Sequence, residues 1–351
     1  MSPLELIVKY RKAPKQMAKE GSIEIELATS FSLRKTLLTH KRFTKVITHI
    51  AELHHHSQSN EIGGGLLITG PSGVGKTTIL QHYLEHFPRI KEQQKTRIPV
   101  LNVVTPSSPT VKSFSESILL ALGDPMARRG TAEEKTFRIF QLLKVCEVEI
   151  LLIDESQHFY YAHSIVEFRR VTDWLKNMIS ISGLAVVMFG LEEAEIVAYS
   201  NEQLARRFSS RLHISPFTFS DEADFLEFRA ALKGLQEVLP IPVEFPLYEA
   251  NLARRFLVAS GGLLDYVRKV LEGAVVVAGR AGLKQLDMQT YAAGFRTNVW
   301  PEVADRLNPF HLESPLRLLN RAGEPFCVGD TRNAIGSPLA RRNIKKPNGR
   351  E

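Results

Sequence analysis

Cysteine is nearly missing from this chain. Cys146 and Cys327 are the two in 351 residues, far apart and with no metal-ligand spacing around either. That excludes a disulfide scaffold, and a chain of this length buries a sizeable core without one. The scarcity fits a reducing compartment. Long apolar runs are missing too: none reaches the ~18 residues that a membrane-spanning helix needs. The opening stretch "MSPLELIVKYRKAPKQMAKEG" puts its lysines after a short apolar patch, the reverse of a secretory leader. The expectation is a cytoplasmic protein with no membrane partner. Acidic residues are fewer than basic ones, 38 Asp and Glu against 45 Lys and Arg, which leaves a net charge of +7. This balance favours an anionic partner such as nucleic acid, although many proteins carry such a charge with none. There is no internal repeat, and no helix-turn-helix or zinc-finger spacing for reading bases.

What is present is an alternation of apolar runs and helical patterns. The runs "GLLITG" (65–70), "IPVLNVV" (98–104), "EILLIDE" (149–155), "LAVVMFG" (184–190) and the shorter "LHISPF" (212–217) read as five strands. Helical stretches separate them, among them "EEAEIVAYSNEQLARRF" read as one helix. Continuous apolar strands alternating with helices predict a parallel five-stranded sheet covered by helices, an α/β architecture. Ahead of the first strand, Leu37, Phe43, Val46, Ile47, Ile50 and Leu53 recur at helical spacing and predict a helix over 32–54. It runs into His54, His55 and His56, which read as a polar helix end, since consecutive helix residues cannot face one ion together. After Phe217 the strands stop, and helices follow, the first with Ser220 as its N-cap. The predicted organisation is an N-terminal arm over 1–30, an α/β domain over 31–218, a small helical domain over 219–298 and a C-terminal tail over 299–351. The tail carries Arg341, Arg342, Lys345, Lys346 and Arg350 near its end.

The stretch Gly70, Pro71, Ser72, Gly73, Val74, Gly75, Lys76, Thr77, Thr78 meets the pattern G-x-x-x-x-G-K-[ST]. Glycines let such a loop curl so that backbone N–H groups face phosphates, and the following helix adds the positive end of its dipole. Lys76 is expected on the outer phosphates and the Thr77 hydroxyl on Mg2+, with ATP as the nucleotide. The motif also stands after a strand and opens a helix, as the mechanism requires. In "ILLIDES", apolar Ile150 to Ile153 put Asp154 at the carboxyl end of a buried strand, where ligands of parallel sheets collect. Asp154 is expected to support the metal. Glu155 is expected to polarise water, which favours hydrolysis over phosphoryl transfer to a metabolite. An arginine finger from a neighbouring subunit is sought in "LARRFSSRLHISPF", with Arg206 and Arg207 as the candidates. These, like Arg211, also read as surface or DNA-facing charges. Arg268 in "GGLLDYVRKVL" is a candidate second sensing arginine.

A P-loop domain, an Asp-Glu strand end, arginines ahead of the last strand and a helical lid together resemble an AAA+ ATPase. "LLITGPSGVGKTTIL", "LALGDPMARRGTAEEKTFRIFQLLK", "EILLIDESQHFYYAHSIVEFRRVTDWLKNMIS" and "LAVVMFGLEEA" further resemble the TniB/TnsC family of transposition regulators over roughly 35–280. The most specific run is Asp154, Glu155, Gln157 and His158. The resemblance implies a bacterial ATP-dependent protein that assembles as a ring or filament on duplex DNA. It implies recruitment of transposase subunits, with a TniQ-like target selector on the other side. One departure is visible: the family often has Gly-Thr after the fourth strand, whereas Gly190 here precedes Leu191, whose side chain cannot hydrogen-bond.

By the same resemblance, "TPSSPTVKSF" after the second strand lies on the DNA side, with Thr105, Thr110 and Lys112 as phosphate contacts. Arg169 and Arg170 form a second candidate pair. Such contacts position without reading sequence and are salt-dependent. In the tail, "ESPLRLLNRAGEPF" offers Leu316, Leu318, Leu319 and Phe326 either to a partner or to its own domain. ATP then acts as a timer of assembly. The competing readings are another AAA+ loader or origin-type ATPase, a signalling or protein-remodelling P-loop ATPase that never touches DNA, and a small-molecule kinase, which Glu155 disfavours.

Overall fold

The computed structural model describes residues 31–33, 36–60 and 64–327. The expected arm over 1–30 and the basic end of the tail lie outside the described residues. The apolar runs form one sheet. Its strands are β1 (Gly65–Thr69), β4 (Val100–Val104), β5 (Ile150–Asp154), β6 (Ala185–Gly190) and β7 (Ser210–His213). The order is β4-β5-β6-β1-β7 and every pairing is parallel. β1, β5 and β6 are buried along their whole length, as their unbroken apolar sequences demand.

Strand alternation divides the core into two layers. Leu67, Leu151, Ile153, Val186 and Met188 face one layer, filled from α3 (Val111–Leu122), α4 (Ala132–Val145) and α5 (Ile165–Ser182). Leu66, Ile68, Leu152, Val187 and Phe189 face the other, filled from α1 (Lys41–Asn60) and α2 (Lys76–His86). A short antiparallel ribbon, β2 (Ile90–Lys91) with β3 (Thr96–Arg97), was not expected.

Several boundaries differ from expectation. The fifth strand occupies 210–213 rather than 212–217, because Leu66–Thr69 pair with Ser210–His213. The chain then leaves the sheet, and Phe217 N–H donates to Gly262 O at 2.9 Å. The stretch 193–207 is two helices, α6 (Glu193–Tyr199) and α7 (Glu202–Arg207), since Asn201 breaks the first and caps the second by accepting from Gln203 N–H. The first helix starts at Lys41 and continues past the histidines. His54 is therefore no polar helix end. It continues the buried stripe of Ile47, Ile50 and Ala51 and is itself fully buried. Its ring nitrogens meet Tyr83 OH at 2.9 Å and Glu149 Oε2 at 3.0 Å. That bond, with Arg97 and Gln58, holds the Glu149 carboxyl down at about 2.

Helices α8 (Glu222–Gln236), α9 (Ala250–Ser260), α10 (Leu264–Ala281) and α11 (Met288–Asn298) follow. The cap of α8 is Asp221, accepting from Ala223 N–H, not Ser220. Arg42, at the start of α1, links the two regions. It donates to Ser215 O at 2.5 Å, pairs with Asp224 of α8 and lies 4.3 Å over the Phe217 ring. Beyond α11 the described chain has a short 3-10 helix (Asp305–Leu307) and is otherwise irregular but packed: Val303, Phe310 and Leu319 are buried in the core of α8–α11. Of the apolar residues singled out there, Leu319 and Phe326 pack inward, while Leu316 and Leu318 are exposed.

α10 and α11 pack backbone against backbone at Gly273 and Gly294. A Cβ on Gly294 would lie 2.4 Å from Val270 O and 2.7 Å from Ala274 N, both backbone atoms that cannot move aside singly. Gly294→Ala should therefore lower stability by about 3 kcal/mol, read as a shift in the urea midpoint. An unchanged midpoint would show that the helices separate at little cost.

Candidate nucleotide site

β1 ends at Thr69 and α2 begins at Lys76, so residues 70–75 form a loop from a sheet edge into a helix. Gly75, the residue before the helix, has φ 103°, which a side chain rarely adopts, and no side chain caps the helix. A Cβ at Gly75 would meet nothing within 4 Å. The space beside Gly75 at the N-terminus of α2 is thus open, and the unpaired N–H groups of a helix's first turn and its dipole favour an anion there. Lys76 Nζ donates to Gly70 O at 2.7 Å and Pro71 O at 3.0 Å. Burial pushes the Lys76 ammonium below its usual range, with Glu155 and then Asp154 pulling the other way. Ser72 and Thr77 are exposed, and Pro71, Gly73, Val74 and Thr78 are half-buried around them. This donor set fits a triphosphate.

Asp154 closes β5 and is buried, and one of its oxygens accepts from Glu155 N–H at 2.9 Å. Burial pushes its carboxyl up, the Glu155 N–H holds it down, and Glu155 and Lys76 then oppose each other. Glu155 follows in a left-handed conformation, φ 56° and ψ 35°. A non-glycine residue there carries about 1–3 kcal/mol of strain. A 3-10 helix over Ser156–Tyr161, not foreseen from the sequence, follows at once.

The remaining candidates are distributed as follows. Arg206 and Arg207 stand at the end of α7; Arg206 is exposed and pairs with Glu202, and Arg207 reaches Ser180 Oγ at 3.3 Å. Arg211 stacks 3.7 Å over Tyr199. Arg268 donates to Thr36 O at 2.7 Å, and burial lowers its guanidinium's basicity. Thr105 is buried with its hydroxyl donating to Asp154 O, and Thr110 caps α3. Lys112 is exposed, and so are Arg169 and Arg170, which follow one another in α5. Two features carried no local signal in the sequence. Val74 lines a narrow cleft with His40, Ile214, Phe217 and Leu263. Asp265, paired with Lys269 at 2.8 Å, has its Cβ 3.6 Å from where a Cβ on Gly73 would stand.

The loop, the buried Asp154 and the adjacent Glu155 all lie within residues 30–217, and that span matches the family described as bacterial TniB protein. The chain belongs to the TniB family. It is accordingly an AAA+ ATPase and binds nucleotide. Solved structures of this fold include ORC2 of Aeropyrum pernix in ADPNP–ADP complexes, with 14% identity, TM-score 0.58, and 79% of this chain covered against 72% of that one. Cdc6p of Pyrobaculum aerophilum gives 14% identity, TM-score 0.56 and coverages of 80% and 73%. Drosophila ORC bound to DNA gives 16%, 0.53, 84% and 70%. At these identities the likeness is one of fold. The general secretion pathway protein A of Aeromonas hydrophila is 22% identical over 245 residues, 67% of this chain. The TniB-family chain spans 41% of that relative's length.

Proposed function

We propose that this TniB-family ATPase regulates DNA transposition: it assembles as a homo-oligomer on duplex DNA and links a TniQ-like target selector to transposase subunits, with ATP hydrolysis timing the assembly. The observation that carries this reading is family membership across a span that holds a complete P-loop and an Asp-Glu strand end. Gly70 to Thr78 would cradle the phosphates, with Lys76 on the outer ones. The Thr77 hydroxyl and the buried Asp154 carboxylate fit Mg2+, which when bound would offset phosphate charge. Glu155 would take the proton of the attacking water. Arg206 or Arg207 would reach the nucleotide of a neighbouring copy, so that a bound nucleotide joins subunits.

For DNA, exposed Lys112 and the exposed pair Arg169 and Arg170 remain suited to phosphate contact. The hydroxyls of Thr105 and Thr110 already have intramolecular partners, which leaves Lys112 as the stronger member of its stretch. Lys112 lies in the first turn of α3, which follows β4, and the arginines lie in the first half of α5, which follows β5; helices that follow parallel strands start at the carboxyl edge of the sheet, the edge from which the P-loop also leaves β1. That Drosophila ORC was solved bound to DNA supports DNA as the class of partner.

Sedimentation of the purified chain with a non-hydrolysable ATP analogue, with and without a short duplex, tests the reading. A large particle that needs both ligands, and that dissolves with rising salt, is the expected result. A chain that stays monomeric, or assembles regardless of DNA, overturns it in favour of a signalling or remodelling ATPase.

A further inference from the structure

Glu155 is not left to find its own orientation. The turn that follows β5 is stapled to the end of β6 at two points. Ser156, fully buried, donates its hydroxyl to Phe189 O at 2.8 Å. Gln157, 3% exposed, accepts the Leu191 N–H on Oε1 at 3.1 Å. An amide bound this way has no freedom to flip. A backbone N–H can only donate, so the oxygen must face Leu191 and the NH2 must face away. The NH2 meets Glu155 Oε2 and donates to it. β6 is shaped to admit this arrangement: a Cβ on Gly190 would stand 2.7 Å from Ser156 Oγ and 2.9 Å from Gln157 Oε1. The Glu155 side chain is otherwise half exposed, with His158 3.9 Å away.

We infer that Gln157 is a positioning residue for hydrolysis: its amide, oriented by the Leu191 N–H, fixes the Glu155 carboxylate by one oxygen and ties that carboxylate to the end of β6. This rests on the reading of Glu155 as the group that accepts the proton of water. The inference also gives a purpose to the departure at Leu191. The side chain there is apolar, but its backbone N–H does polar work through Gln157. The strand end and the base therefore move together, and a shift of the β6–α6 connection is felt at Glu155. A general base gains from being held in one geometry, because misplacement by about 1 Å can cost 10²-fold.

The test uses steady-state ATP hydrolysis by the full chain, with Gln157→Met, Gln157→Glu, Glu155→Gln and the double variant Glu155→Gln/Gln157→Met. Methionine keeps the volume of glutamine and removes both hydrogen bonds. The expected result is a kcat lowered about 10- to 100-fold by Gln157→Met, with KM within about 3-fold. Gln157→Glu keeps the acceptor for Leu191 but sets a carboxylate against Glu155, and kcat should fall at least as far. In the Glu155→Gln background, Gln157→Met should add nothing, because the group it positions no longer functions. An inactive Glu155→Gln beside a Gln157→Met and a Gln157→Glu of unchanged kcat overturns the positioning role alone. A Glu155→Gln that hydrolyses ATP normally overturns the reading of the base, and the inference with it. A loss that is fully additive in the double variant assigns Gln157 to folding rather than to positioning. Thermal unfolding of each variant identifies any that fail to fold; if Gln157→Met is one, Gln157→Glu decides.

Discussion

Lys76→Ala should lower kcat/KM for ATP by about 10³-fold or more and leave the fold intact. The size follows from what the side chain does. A single ammonium, already partly withdrawn from water, stands where the P-loop meets α2 and contacts the loop through Gly70 O and Pro71 O. In such a place a charge acts on a phosphate with less screening than it would have in water. No other lysine or arginine belongs to residues 70–78, so no neighbour within the loop replaces it. The fold should survive because alanine is the strongest helix former and Lys76 is the first residue of α2. Thermal unfolding and a fluorescent ATP analogue separate the two effects. The unfolding midpoint should stay within a few degrees while nucleotide affinity falls. Hydrolysis within a few-fold of the parent would remove the P-loop from the reaction.

The parts of this architecture that are legible in the sequence are those specified by local pattern. Leu66 to Ile68, Ile150 to Ile153 and Ala185 to Phe189 are unbroken apolar runs, and they become the buried middle of the sheet. The loop of residues 70–75 and the start of α2 are legible because a phosphate-binding loop demands fixed residue types at fixed spacing. The misread parts depend on partners distant in sequence. Ser210 and Arg211 look unlike a strand, and they become one because β1 offers them a ladder about 140 positions earlier. His54 looks like solvent-exposed polarity, and Tyr83 and Glu149 make it core. Thr105 looks like a free hydroxyl until β4 pairs with β5 and its hydroxyl donates to Asp154 O. Gln157 is visible in the motif, but its partner Leu191 stands on another strand's end. The site is thus legible as a list of residue types, whereas the orientation of each side chain is decided by tertiary contacts.

Glu155→Gln should have the opposite effect on nucleotide retention. The substitution changes one oxygen to an NH2 and keeps size and shape, so the P-loop, Lys76 and Asp154 stay as they are. What is lost is the capacity to accept a proton, and a positioned general base is worth about 10²–10⁴-fold in rate. Turnover should fall by that factor while affinity for ATP stays within a few-fold of the parent. The backbone strain at φ 56° remains, since glutamine meets the same steric limits there. The pair of variants then separates a timer from a fuel. If bound nucleotide joins subunits on DNA, Lys76→Ala fails to assemble, while Glu155→Gln assembles with ATP itself and does not dissolve over the time in which the parent does. If hydrolysis instead drives a cycle of remodelling on a partner protein, both variants fail in that activity alike and neither alters sedimentation with duplex DNA. The sign of the Glu155→Gln effect on the lifetime of the DNA-bound particle is the discriminating quantity: longer than the parent supports the timer, and unchanged excludes it.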